Sequence, residues 1–167
     1  MNYKTTYASP VGTYILTSND DSLLTGCYLE NQKYLPDLSS FVNDDSLQIF
    51  DQTKAWLTDY FDGKAPDLSA LKLQLTGSDF RQKVWKILCD IPLGKTTTYG
   101  EIAQELGIKS GQAIGGAVGH NPISVIIPCH RVLGADGSLT GYAGGVHVKW
   151  QLLKLEGVVL SEQIELF

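Results

Sequence analysis

Apolar and polar positions alternate at the start of the chain in three runs, Tyr3 to Tyr7, Val11 to Thr17 and Leu23 to Leu29. Two turn signals separate them, Ser9-Pro10 with Gly12 and then Asn19-Asp20-Asp21, so the spacing predicts an antiparallel meander. The period then lengthens. Ile49, Trp56, Leu57, Tyr60 and Phe61 fall on one stripe of a helix that starts in the cap-forming run Asp44-Asp45-Ser46 and ends at Asp62-Gly63. Leu71, Leu73 and Leu75 alternate again and predict a further strand.

Beyond that point the pattern is helical. Phe80, Val84, Ile87 and Leu88 share a face of a helix capped by Ser78 or Asp79 and broken by Ile91-Pro92-Leu93-Gly94. Thr98-Tyr99-Gly100-Glu101 is a capping box that opens a helix to about Leu106, and Gly107 stops it. Another helix runs from Ser110 or Gly111 to Val118, and two short helices joined in this way spell a helix-turn-helix. The fold class is therefore α/β: a small α/β domain over residues 1–75, and a mainly helical domain over residues 76–167.

The length, 167 residues, suits two small domains sharing an interface. The net charge of −5 argues against a nucleic-acid protein until it is divided. Residues 1–77 hold ten acids and five bases, whereas residues 78–167 hold eight of each. The acidity belongs to the front, which leaves the helical half able to present a neutral-to-basic face. No apolar run is long enough for a membrane span and no export leader is visible, so a cytoplasmic protein is expected. Cys27, Cys89 and Cys129 are odd in number, widely spaced and unclustered with the three histidines. That pattern predicts neither a disulfide framework nor a metal site, and a reducing cytosol fits it. Cys27 in a strand and Cys89 in a helix read as packing residues.

Chemistry concentrates in Ile126-Ile127-Pro128-Cys129-His130-Arg131-Val132. An apolar run leads into a proline that stiffens the backbone and removes a donor. A thiol, an imidazole and a guanidinium follow. A thiol becomes a nucleophile when a neighbouring base or positive field makes it a thiolate. A bare Cys-His pair more often marks an inert buried cysteine. The surrounding residues change that reading.

Phe80-Arg81-Gln82-Lys83-Val84-Trp85, the run from Ile91 through Tyr99-Gly100-Glu101 to Ala103, Gly115-Gly116-Ala117-Val118, Asn121-Pro122, the Pro-Cys-His-Arg-Val core, Gly141-Tyr142-Ala143-Gly144-Gly145, and Leu152-Leu153 with Glu156 fall in order along residues 76–157. In this the chain resembles the O6-alkylguanine-DNA alkyltransferases, the methylated-DNA–protein-cysteine methyltransferases. The resemblance implies a ribonuclease H-like first domain that scaffolds a DNA-binding second one. It also implies irreversible, single-turnover transfer of a methyl or larger alkyl group from O6 of guanine in duplex DNA to Cys129, without cofactor or metal, by a monomer. Activity on O4-alkylthymine and the preferred adduct size stay open.

The same resemblance assigns roles. His130 acts on the thiol through a water, with Glu156 behind it. Direct transfer is doubtful in an extended segment, where adjacent side chains point opposite ways, unless the backbone turns. Tyr99 donates to the flipped guanine, or else simply packs on the core. Asn121 holds the helix-turn-helix against the active-site loop. Ser124, Val132, Tyr142, Ala143 and Gly144 border the substrate pocket. Thr96 and Thr97 meet phosphates, and Arg131 meets a phosphate or, the favoured reading, makes a structural ion pair.

Gln112, Ala113, Gly115 and Gly116 form the helix that meets DNA. That helix has almost no long polar side chains for base edges, and its paired glycines cost about 1 kcal/mol each. Either the glycines let helices pack tightly or they let backbone approach a minor groove. A base must leave the stack for sulfur to reach the alkyl carbon. Gln112 stands where the family has an arginine that fills the vacated space, which predicts weaker duplex binding with thiol chemistry retained. Few cations also predict a shallow salt slope. Competing readings are a non-catalytic alkyl-lesion binder, which Cys129 disfavours, a helix-turn-helix regulator, and a thiol protease.

Overall fold

A computed structural model describes residues 1–159, and the end of the second sequence-defined domain, 160–167, lies outside the described residues. Contacts divide the chain into two units, residues 1–76 with 122–126, and residues 77–121 with 127 onward.

In the first unit β1 (Tyr3–Ser9), β2 (Gly12–Ser18) and β3 (Leu24–Leu29) form the expected antiparallel meander. A short β4 (Val42–Asn43) joins β1 in parallel, so the sheet is mixed, in the order β3-β2-β1-β4. Tyr14, Leu16, Leu24 and Cys27 are fully buried, as are Ile49, Phe50 and Leu57 of helix α1 (Gln48–Phe61).

Two expectations need correction. The Asp44-Asp45-Ser46 run does not cap α1: the Asp44 carboxylate closes a local turn by accepting from Ser46. The N-cap residue is Leu47, and the first-turn N–H of Gln48 donates instead to Asp21, from the turn between β2 and β3. A tertiary contact has replaced the local cap. Nor do Leu71, Leu73 and Leu75 make a strand. A 3-10 turn at Leu68–Ala70 takes up the chain, and a single bridge pairs Leu73 with Leu24. The β3 edge is shared, because Cys27 accepts from Ser124 N–H and donates to the Pro122 carbonyl, at 2.9 and 2.8 Å.

The second unit contains α2 (Asp79–Cys89), α3 (Tyr99–Glu105), α4 (Gly111–Gly119) and α5 (Val146–Leu155). Ser78, Thr98 and Ser110 each cap a helix by accepting a backbone N–H three residues on. Gly107, at φ +69°, ends α3 in the left-handed conformation, and Ile108 N–H reaches back to the Ala103 carbonyl. Trp85 of α2 is buried and donates its indole N–H to the Ala117 carbonyl of α4 at 2.8 Å. Gly77 is required here, since a Cβ would lie 2.6 Å from the Trp85 ring. A two-residue strand, β5 (Thr97–Thr98), pairs in parallel with β6 (Val132–Leu133). That pairing brings the start of the helix-turn-helix beside the residues that follow Arg131.

Candidate active site

The chain enters the site through two tight bends. Val125 has φ +69°, rare for a β-branched residue, and Ile126 N–H bonds the Ser124 carbonyl across it at 2.8 Å. Pro128, at φ −82° and ψ 65°, makes a second three-residue turn, closed by Cys129 N–H to the Ile127 carbonyl at 2.8 Å. Cys129, His130 and Arg131 then form a buried 3-10 turn rather than an extended segment. With three residues per turn, neighbouring side chains are about 120° apart rather than opposed, which removes the geometric objection to cooperation between thiol and imidazole.

His130 and Glu156 are both buried, and Nε2 lies 2.5 Å from Oε2. Arg131 donates its Nε–H to the other carboxylate oxygen at 2.7 Å and its Nη1–H to the Ile91 carbonyl at 2.6 Å. Of the two roles open to Arg131, the structure gives it the buried ion pair. A carboxylate paired with a guanidinium stays ionised and can only accept. His130 Nε2 therefore carries the proton, and Nδ1 presents a lone pair. Nδ1 is buried with no hydrogen-bond partner among the described residues. Burial holds the His130 pKa below its ordinary value, helped by the charges of Arg131 and Lys149 and opposed by Glu156. The imidazole is thus neutral at neutral pH, with its basic nitrogen free.

Burial pushes the Cys129 thiol up. Two groups work against that: a hydrogen bond from the Asn121 side chain and the charge of Lys149. Asn121 is itself buried and donates to the Ile127 carbonyl at 2.8 Å, so one amide holds the entry bend and touches the sulfur.

Tyr99, the first residue of α3, is half-buried and donates its hydroxyl to the Thr140 carbonyl at 3.0 Å. Burial raises its pKa, and the nearby Cys129 charge adds to the shift. Gly141, at φ +68°, lets that hydroxyl pass: a Cβ there would lie 3.4 Å from it. Tyr142 is buried, and Ala143 and Gly144 are partly exposed, on the loop before α5. Val132 is fully buried and pairs with Thr97 in the small sheet. Ser124 is buried within the first unit, bonded to β3.

The DNA-facing candidates separate. The Thr97 hydroxyl donates to the Glu101 carboxylate at 2.8 Å, so that proton is not available to a phosphate. Thr96 is exposed. Gln112, Ala113 and Gly116 are exposed on α4, and a Cβ at Gly115 or Gly116 would meet open space. Tight helix packing therefore does not explain the paired glycines.

Lys149 is the residue that sequence reasoning passed over. It is fully buried on α5, donates to the Thr140 carbonyl at 3.0 Å, and sits 5.8 Å from the Tyr99 ring centroid. The signal was present: Lys149 lies three and four residues before Leu152 and Leu153, on the apolar face.

A buried nucleophile, a neutral base and an orienting carboxylate on a helix-turn-helix unit define the class, a cysteine-centred group-transfer protein with a candidate nucleic-acid surface. Residues 79–158 match the model of the 6-O-methylguanine DNA methyltransferase DNA-binding domain, and residues 2–75 match that family's ribonuclease-like domain. The chain belongs to the 6-O-methylguanine DNA methyltransferase family. It is 40% identical over 157 residues to the methylated-DNA–protein-cysteine methyltransferase of Haemophilus influenzae, covering 93% of this chain and 87% of that one. It is 42% identical over 149 residues to the protein of the same name in Methanosarcina barkeri, with 89% and 92% covered. The crystal structure of Mycobacterium tuberculosis OGT in complex with DNA superposes with TM-score 0.85 at 41% identity, covering 92% of each chain.

Proposed function

We propose that this protein repairs alkylated DNA by taking a methyl group from O6 of guanine onto Cys129. The observation that carries the reading is the buried Nδ1 lone pair of His130, fixed by Glu156 at Nε2, on the same turn as the thiol. Through a bridging water the thiol proton passes to Nδ1, and the thiolate attacks the methyl carbon. The S–C bond forms, the C–O6 bond breaks, and guanine leaves with the electron pair and takes up a proton. Tyr99 exchanges its bond to the Thr140 carbonyl for one to the guanine, and backbone N–H groups near Ala143 face O6 as charge develops. The exposed glycines of α4 admit backbone to the minor groove while the target base is turned out. The product thioether does not revert in water, so each chain acts once.

Duplex DNA is the partner, consistent with the DNA complex of the Mycobacterium tuberculosis relative. The chain works as a monomer in the cytoplasm, where reducing conditions keep Cys129 as a thiol. Among the described residues no helix is long and apolar enough to cross a membrane.

The test is intact mass after mixing with a duplex carrying O6-methylguanine. Each chain should gain one CH2 equivalent, mapped to the Cys129 peptide, and no more with excess DNA. A catalytic excess of repaired DNA over protein would end the single-use reading. For the duplex contact, Gln112→Arg should tighten binding and steepen the salt dependence by about one phosphate's worth. Identical affinity and slope before and after would remove Gln112 from the interface.

A further inference from the structure

We propose that Lys149 is the counter-ion of the Cys129 thiolate, the two side chains sharing one proton inside a buried cluster whose other charges cancel. Lys149 is fully buried, and no carboxylate lies within ion-pair distance of it among the described residues. A buried ammonium without an anion is costly. Its one hydrogen-bonded neighbour is the Thr140 carbonyl, which also accepts from Tyr99.

The groups around it can be counted. Arg131 and Glu156 neutralise one another, His130 is held neutral, and Tyr99 is a phenol whose pKa is raised. On α5 itself, His147 and Lys154 are exposed. That leaves Cys129, on the 3-10 turn against which α5 packs, as the source of negative charge. Each of the two groups favours the charged form of the other, and burial brings Lys149 down to about 8. A thiol beside an ammonium leaves the cluster with one unmatched charge, whereas a thiolate beside an ammonium leaves it neutral. The pair therefore titrates as a unit.

Its part in alkyl transfer rests on the function proposed above. Thiolate attack forms S–CH3, breaks the methyl C–O6 bond and puts the electron pair on guanine, which is protonated. The thioether carries no charge. Lys149 then has no counter-ion and gives up its proton, so that one proton leaves the pair for each one guanine gains, and the cluster stays neutral.

Neither decisive measurement uses DNA. Carboxamidomethylation of Cys129 by iodoacetamide against pH, read by peptide mass, should show a midpoint at least one pH unit higher in Lys149→Met, about tenfold slower near neutrality. A midpoint equal to wild type overturns the pairing. In folded Cys129→Ser protein with the native lysine, the Lys149 side-chain NMR titration should move to lower pH, because its anion is gone, and an unchanged midpoint again overturns it. If both shifts appear but wild type takes no methyl from O6-methylguanine duplex, the pair stands and the proposed function falls. If methyl transfer proceeds with neither shift, the pair alone falls.

Discussion

Replacing Cys129 with serine should abolish methyl transfer while leaving binding to the alkylated duplex intact. The exchange keeps a small hydroxyl-sized group on the turn, so the hydrogen bond from Asn121 and the fold around it survive. What disappears is the nucleophile. A thiol lies within reach of a neutral imidazole's basicity, whereas an alcohol stays protonated, and a single water-linked histidine offers little to change that. Intact mass should show no gain under conditions that methylate wild type completely, and gel shift should show equal affinity. Cys89 provides an internal control. It is half-buried at the end of α2, and burial together with Asp90 raises its pKa. A methyl group found on Cys89, or on the serine variant at all, would remove Cys129 from the centre of the chemistry.

The sequence disclosed the elements whose signals are local. The three strands, the helix stripes, and the caps Ser78, Thr98 and Ser110 need only neighbouring residues to form, and each lies where its pattern placed it. The failures share a cause, in that each depends on a partner remote in sequence. Asp21 supplants the local acidic run at the start of α1 from 27 residues away. The Leu71 to Leu75 alternation is real, but the β3 edge also bonds the segment around Pro122 to Ser124, and only one bridge to Leu73 forms.

Within the site, the pairing of His130 with Glu156 followed from the resemblance, while the reason it works did not. Two consecutive tight bends, at Val125 and Pro128, turn an apolar run that reads as a strand into a 3-10 turn. A left-handed valine is invisible to propensity and has to be imposed by its surroundings. Lys149 was legible only to a reader willing to leave a charge on an apolar helix face. The usual assumption, that a lysine snorkels outward, hid it.

Glu156→Ala is expected to damage both stability and rate, and the two losses can be told apart. The carboxylate bonds His130 Nε2–H through one oxygen and Arg131 Nε–H through the other, both in buried positions. Its removal strands a buried guanidinium, for which about 3–5 kcal/mol of stability should be lost, seen as a lower denaturant midpoint. Glu156→Gln keeps the shape, retaining one acceptor for His130 but turning its amide N–H groups toward Arg131. The rate effect follows from pKa. Glu156 raises the His130 pKa against burial, so without its charge the imidazole becomes a weaker base and loses its fixed tautomer. The rate plateau should then fall by about a hundredfold, within the usual range for a general base. The acid limb moves the other way. In wild type His130 must be neutral, and because its pKa is depressed below 6.5 the rate should hold as pH drops through 6.5 and decline only below it. In Glu156→Gln that decline should come at still lower pH, with the plateau reduced. A plateau within a few-fold of wild type, or an acid limb shifted upward, would mean that His130 does not act as the base held by Glu156.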